Sequence, residues 1–150
     1  MEVKQALEEL ETLQKKMYAY QCASSSLYLD SVTVAPKDTA QGRGVALSIL
    51  AGESHKLFAN QEVGELLDFL TEHSGELTLL QRRQVEELCR RWRQMSRIPA
   101  EEYMAYAQLT NEASDVWHKA KETNDFELFR PVLEQLVAFN RKFAGYYDDT

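Results

Sequence analysis

The residues in this chain that could do chemistry are few, and their spacing limits what they can do. A zinc hydrolase built on a helix needs two histidines one turn apart with a glutamate beside them. The histidines are His55, His73 and His118, and none has another histidine at a turn's distance. Asp115 and His118 stand at i and i+3, a spacing that can bring a carboxylate and an imidazole to one ion. Two ligands do not make a zinc site, however, which takes three or four protein groups. The pair therefore reads as an ordinary helical Asp/His pair. Ser24-Ser25-Ser26 lies at the expected end of a helix, with no strand-turn-helix elbow and no neighbouring histidine to activate a hydroxyl. Gly42-Arg43-Gly44 lacks the spacing of a phosphate loop and has no strand before it. No catalytic, cofactor-binding or metal-ligating residue is assigned within the chain on these grounds.

Other side chains read as structure. Trp92 and Trp117 sit among Leu, Val and Ala at helical spacing and are expected to be core anchors. Tyr103, Tyr106, Tyr146 and Tyr147 could line a groove, although partial burial with a wet hydroxyl is the ordinary fate of tyrosine. Arg82, Arg83, Arg90, Arg91 and Arg93 form the most basic stretch, but Glu86 and Glu87 interrupt it, the pattern of a solvated helix face. With 24 acidic against 17 basic residues and a net charge of -7, neither nucleic acid nor an anionic membrane is the expected partner.

The elements that must position these residues are helices. Only six glycines and three prolines punctuate 150 residues, which favours long helices over many short strands. Val3, Ala6, Leu7, Leu10, Leu13, Met17, Tyr20 and Ser24 mark one face of a first helix, heptad-like over too short a length for a coiled coil. The stretch from Leu29 to Lys37, with its β-branched cluster and Pro36, predicts the main irregular connection. A second helix is expected from Asp38 or Thr39 through Val45, Ile49, Leu50 and Leu57. Its Gly42, Gly44 and Gly52 each cost about 1 kcal/mol of propensity, a cost explained by close approach of a neighbouring helix. Asn60 caps a third helix carrying Val63, Leu66, Leu67 and Leu70. Thr78 with Gln81 forms a capping box opening a fourth with Leu80, Val85, Leu88, Trp92 and Met95. A fifth helix begins with Pro99 in its first turn. Asn124-Asp125 separates it from a sixth that contains Pro131. The expected fold is all-α, about six helices in one bundle-like domain over residues 1–150.

Cys22 and Cys89 have no metal or redox spacing and fit free, buried thiols in a reducing compartment. No signal-peptide pattern opens the sequence, and no apolar run reaches the roughly 20 residues of a membrane span. A cytoplasmic location is the resulting expectation.

Two regions together resemble a known family. One is Leu29-Asp30-Ser31-Val32-Thr33-Val34-Ala35-Pro36-Lys37 with Arg43 downstream. The other runs from Ile98-Pro99 through Trp117-His118-Lys119-Ala120-Lys121 to Asn124-Asp125-Phe126, Phe129, Pro131 and Leu133. In order and spacing these landmarks resemble the N-terminal region of the thermostable, carboxypeptidase Taq-type metallocarboxypeptidases. The first landmark departs from the family form, with Leu29 where a tryptophan is usual and Ser31 where a glutamine is usual. The resemblance implies a mostly helical parent enzyme that removes C-terminal residues from peptides with a divalent metal, zinc being the expected one. Its ligands would come from a His-Glu-x-x-His helix and a later glutamate, neither of which is in this chain. These helices would form part of the wall of the substrate cleft, with the remainder of the peptidase as partner and no activity of their own. An exposed apolar face left by the missing part predicts weak self-association, and a homodimer is a further expectation. The abrupt end at Tyr146-Tyr147-Asp148-Asp149-Thr150 is read as a cut. The competing reading is a free-standing helical protein-interaction module, and a stand-alone hydrolase using Asp115 and His118 ranks behind both.

Overall fold

The computed structural model describes residues 2–36 and 39–147. They form six α-helices joined by short connections: α1 Val3–Thr33, α2 Ala40–Phe58, α3 Gln61–Glu72, α4 Leu79–Met95, α5 Ala100–Thr123 and α6 Phe126–Gly145. A 3-10 turn, Ser74–Glu76, lies between α3 and α4, and no strand occurs among the described residues.

The first helix is longer than its composition suggests. Leu29 to Thr33 continue α1 instead of opening an irregular segment. β-branching costs a helix only a few tenths of a kcal/mol per residue, and local back-bonding accommodates it here. The Ser31 hydroxyl donates to the Tyr28 carbonyl at 2.6 Å and the Thr33 hydroxyl to that of Leu29 at 2.6 Å. The helix stops where Pro36 restricts the residue before it. Ser24, Ser25 and Ser26 consequently lie inside α1 and not at its end. The expected positions Lys37 and Asp38 fall outside the described residues, and α2 begins at Ala40.

The caps follow the sequence closely. Asn60 Oδ1 accepts from the Val63 backbone amide at 3.0 Å. At Thr78 both halves of the capping box are present. Pro99 stands one residue earlier than expected, as the N-cap of α5. Asn124 ends α5 in the left-handed region at φ 52°, a conformation that Asn tolerates better than most side chains. Asp125 then accepts from the Glu127 amide at 3.0 Å to open α6, which continues through Pro131.

Packing divides the bundle into two regions. Ala6, Leu10 and Leu13 from the first half of α1 meet Phe58, Val63, Leu66, Leu67, Leu70, Leu77, Val85 and Leu88 in one apolar core. Phe58, Leu67 and Leu70 are its fully buried large side chains, each contributing roughly 1.5–3 kcal/mol relative to exposure. Trp92 packs against this core and covers Gly64, where a Cβ would lie 2.5 Å from the indole. Its Nε1 donates to the Asn60 carbonyl at 2.9 Å. The second region joins α5 to α2 and α6, with Leu109, Ala113, Ala120 and Phe143 buried.

Several sequence expectations need correction here. Trp117 is 43% exposed, so only Trp92 of the two acts as an anchor. Lys121 stands over the Trp117 ring at 5.1 Å, a surface cation–π contact. Cys22 is exposed and Cys89 half-buried, so Cys22 is no buried hydrophobe. Among the helical glycines of α2, Gly52 faces the Met104 side chain of α5, whereas a Cβ at Gly42 or Gly44 would meet nothing within 4 Å. Close approach explains Gly52 alone.

Candidate functional site

One concave feature gathers side chains from four helices and lies between α1, α2 and α5. It is an open groove of about 520 Å³. Its position follows from α1: Met17, Tyr20 and Ser24 recur at a 3-4 spacing and face the bundle, while Gln21 flanks them. Leu47, Leu50, Ala51 and Ser54 of α2 make the floor, and Tyr103, Tyr106, Ala107, Thr110 and Asn111 of α5 make the far side. Arg91 of α4 closes one end, its guanidinium held 5.4 Å above the Phe58 ring.

The lining decides what this groove can do. It offers three tyrosines, hydroxyl and amide groups and one guanidinium, but no histidine, cysteine, aspartate or glutamate. Such a surface can hold an extended apolar or polar chain by packing and hydrogen bonding. It has no group to exchange protons near neutral pH.

Behind the groove sits His55, 4% exposed on α2. Its Nε2 pairs with the Met95 carbonyl at 3.1 Å and its ring lies 4.9 Å from that of Tyr103. Nδ1 is buried without a hydrogen-bond partner, so the neutral tautomer carrying the proton on Nε2 fits the geometry. Burial pushes the imidazole below its ordinary pKa, against the raising effect of the Met95 and Ile98 carbonyls. Ser48, also buried, donates to the Met104 carbonyl at 3.2 Å. These two polar residues tie α2 to α5 and to the α4–α5 joint.

The remaining polar constellations are structural. Glu102 accepts from Lys142 at 2.8 Å and from the Tyr146 hydroxyl at 2.9 Å. The Lys142 ammonium holds the Glu102 carboxyl below its usual range, and Glu102 raises the Tyr146 hydroxyl. Arg97 donates to the Tyr146 carbonyl at 3.0 Å, and the Tyr147 hydroxyl donates to that of Gln94 at 3.3 Å. Tyr103 and Tyr106 therefore reach the groove, while Tyr146 and Tyr147 fasten the end of α6. Arg83 pairs with Glu86 at 2.8 Å and Arg90 with Glu87 at 2.6 Å, so acids of the same helix offset two of the five arginines on this solvent-exposed face.

Asp115 and His118 are both exposed on α5, and the His118 ring contacts Trp117 at 4.8 Å. Among the described residues no group of three or more His, Cys, Asp and Glu is arranged to hold a metal. The donors placed by the described residues therefore do not fit a resident metal ion. Sequence reasoning named Leu50 of the groove's α2 floor but missed Leu47, Ala51 and Ser54, which do not stand out from the exposed Val45 and Ile49 beside them. Among the described residues no helix is long and apolar enough to cross a membrane.

Comparison with known proteins places this geometry in a larger frame. Residues 9–150 match the model of the carboxypeptidase Taq (M32) metallopeptidase family. The chain is 31% identical over 147 residues to carboxypeptidase 1 of Bacillus subtilis, covering 98% of this chain and 29% of that protein. The crystal structure of BsuCP superposes with a TM-score of 0.90 at 31% identity, over 95% of this chain and 29% of that one. Metallocarboxypeptidase 1 of Trypanosoma cruzi does so at 0.75 and 29% identity, over 97% of this chain and 29% of that one. The chain thus spans less than a third of the length of these relatives, and it belongs to the carboxypeptidase Taq (M32) metallopeptidase family.

Proposed function

We propose that these helices form the N-terminal, substrate-cleft wall of a metal-dependent carboxypeptidase that removes C-terminal residues from peptides. The observation that supports the reading most directly is the α1–α2–α5 groove. It is lined for binding and lacks proton-transfer groups, in a chain about 29% as long as the carboxypeptidases it matches. On this reading the metal, zinc in the first instance, and the general base lie in the remaining part of the parent protein. The 150 residues alone are then inactive. A cytoplasmic setting and a homodimeric parent belong to the same proposal, to be checked by fractionation and by sedimentation of the full-length protein.

Two measurements test it. The intact mass and downstream sequence of the native gene product come first: a product several times longer with a His-Glu-x-x-His helix supports the reading. One ending at Thr150 removes the enzyme and leaves a helical interaction module. In the longer protein, Tyr106→Ala should raise KM for peptide substrates about tenfold, as expected for about 1.4 kcal/mol of lost binding, with kcat little changed. Unchanged kinetics would show that the groove is not part of the cleft.

A further inference from the structure

The second half of α1 carries a face that its own bundle leaves uncovered. Between Lys16 and Asp30 the sequence contains no charged residue, although this stretch lies at the surface of the bundle. Its packed side is the stripe Met17, Tyr20, Ser24, Leu27 and Ser31, all half-buried. A second stripe, Tyr18, Cys22, Ser25, Leu29 and Val32, follows a 4-3-4-3 spacing and is exposed along its whole length. Tyr18 is 68% exposed, Leu29 61% and Val32 51%. At 3.6 residues per turn the two stripes point roughly 140° apart, so the helices that cover the first cannot reach the second.

The same helix shows what a solvated face looks like. In its first half the outward positions are Lys4, Glu8, Glu11 and Lys15, all exposed, with Glu11 and Lys15 paired at 2.7 Å. From Tyr18 onward the charges on that side give way to aromatic, aliphatic and small uncharged residues. A contiguous apolar strip of this kind marks a surface that is covered in the working protein. The 4-3-4-3 spacing is that of a helix–helix seam, and the small Cys22 and Ser25 at its centre allow close approach.

We infer that the Tyr18–Val32 stripe is the docking seam for an amphipathic helix from the part of the parent peptidase that lies outside these residues. The inference rests on the reading of the chain as one part of a longer enzyme. Length argues for this occupant over a second copy: the matched relatives are more than three times as long as this chain. Most of the parent's helices therefore still have to find surfaces.

Cys22 sits in the middle of the seam and reports on it directly. The experiment compares the rate of Cys22 alkylation by N-ethylmaleimide, read by peptide mass mapping, in the 150-residue chain and in the full-length native protein. Cys22 should react freely in the short chain and at least tenfold more slowly in the full-length protein. Leu29→Lys with Val32→Lys in the full-length protein should restore fast labelling, with circular dichroism confirming that the helices persist. Equal labelling of Cys22 in both proteins would overturn the inference. So would protection that grows with concentration in the short chain together with a dimer by sedimentation, which would make a second copy the occupant. A native product of 150 residues, seen by intact mass before any labelling, would instead remove the reading on which the inference rests.

Discussion

At the α3–α4 corner, Val63, Leu66, Leu67 and Leu70 of α3 interlock with Val85, Leu88 and Trp92 of α4. Across the α2–α5 contact, the buried α2 positions are instead Ser48, Gly52 and His55. One junction is held by apolar side chains filling space. The other is held by a small residue admitting Met104 and by hydrogen bonds from Ser48 and His55 to main-chain carbonyls. The first kind of contact gains free energy in proportion to area removed from water. The second gains less per residue, but it fixes geometry, because buried polar groups are costly when their partners shift. The groove is built on the second kind of junction, where alignment of α2 against α5 sets the spacing of its walls.

Cavity formation should separate the two junctions most strongly. Leu70→Ala empties a site with no solvent exposure and is expected to lower stability by about 3 kcal/mol, measured by urea unfolding followed by circular dichroism. A loss below about 1 kcal/mol would mean that the corner relaxes around the void and is not the rigid element described.

A pair of glycine substitutions sharpens the contrast. At Gly64 a new Cβ meets the Trp92 indole, whose ring is pinned by its hydrogen bond to the Asn60 carbonyl. Gly64→Ala should cost about 2 kcal/mol net, overpacking of about 3 kcal/mol outweighing the roughly 1 kcal/mol that alanine gains in helix propensity. At Gly52 the obstacle is the flexible Met104 side chain, and alanine gains about 1 kcal/mol of helix propensity. Gly52→Ala should therefore lose less than about 1 kcal/mol. Equal losses in parallel urea titrations would remove the distinction between a rigid and a compliant contact.

His55 gives the α2–α5 junction a pH response. Its folded-state pKa is pushed down by burial, while in the unfolded chain it titrates near 6.5. The stabilisation is complete well above pH 6.5. It falls as pH drops through that value, because the unfolded state then binds the extra proton, and it levels off below the depressed folded pKa. Between pH 8 and 5 the change in slope on His55→Gln should correspond to no more than one proton. If the wild type and the variant show the same pH dependence of the urea midpoint, the imidazole is not buried neutral.

How much of this was legible in the sequence depends on which junction is considered. Val63, Leu66, Leu67 and Leu70 repeat at the helix period, and Asn60 and the Thr78–Gln81 box announce where their helices begin. That corner could be read directly. Landmarks running from Ile98-Pro99 to Leu133 placed α5, α6 and the family. The α2 face could be read only in part: Leu50 and Leu57 are half-buried as their spacing suggests, but Gly44, Ser48, Gly52 and His55 are buried while Val45 and Ile49 are 48% and 53% exposed. The end of α1 misled for another reason: β-branched residues before Pro36 looked like a break, yet each costs a helix only a few tenths of a kcal/mol.

The smallest predicted effect bears on the surface of α1. Leu29 is 61% exposed. Leu29→Ala in the 150-residue chain removes no buried contact, so its urea midpoint should stay within about 0.5 kcal/mol of the wild type. The same substitution at Leu67, which is 1% exposed, falls in the range of 2–5 kcal/mol. The comparison tests whether hydrophobicity in this chain serves its own core or another surface. A large loss at Leu29 would mean that the face is already covered within these residues. A negligible loss here, beside a substantial one in the full-length protein, would show that the leucine's burial energy is realised only when the rest of the peptidase is present.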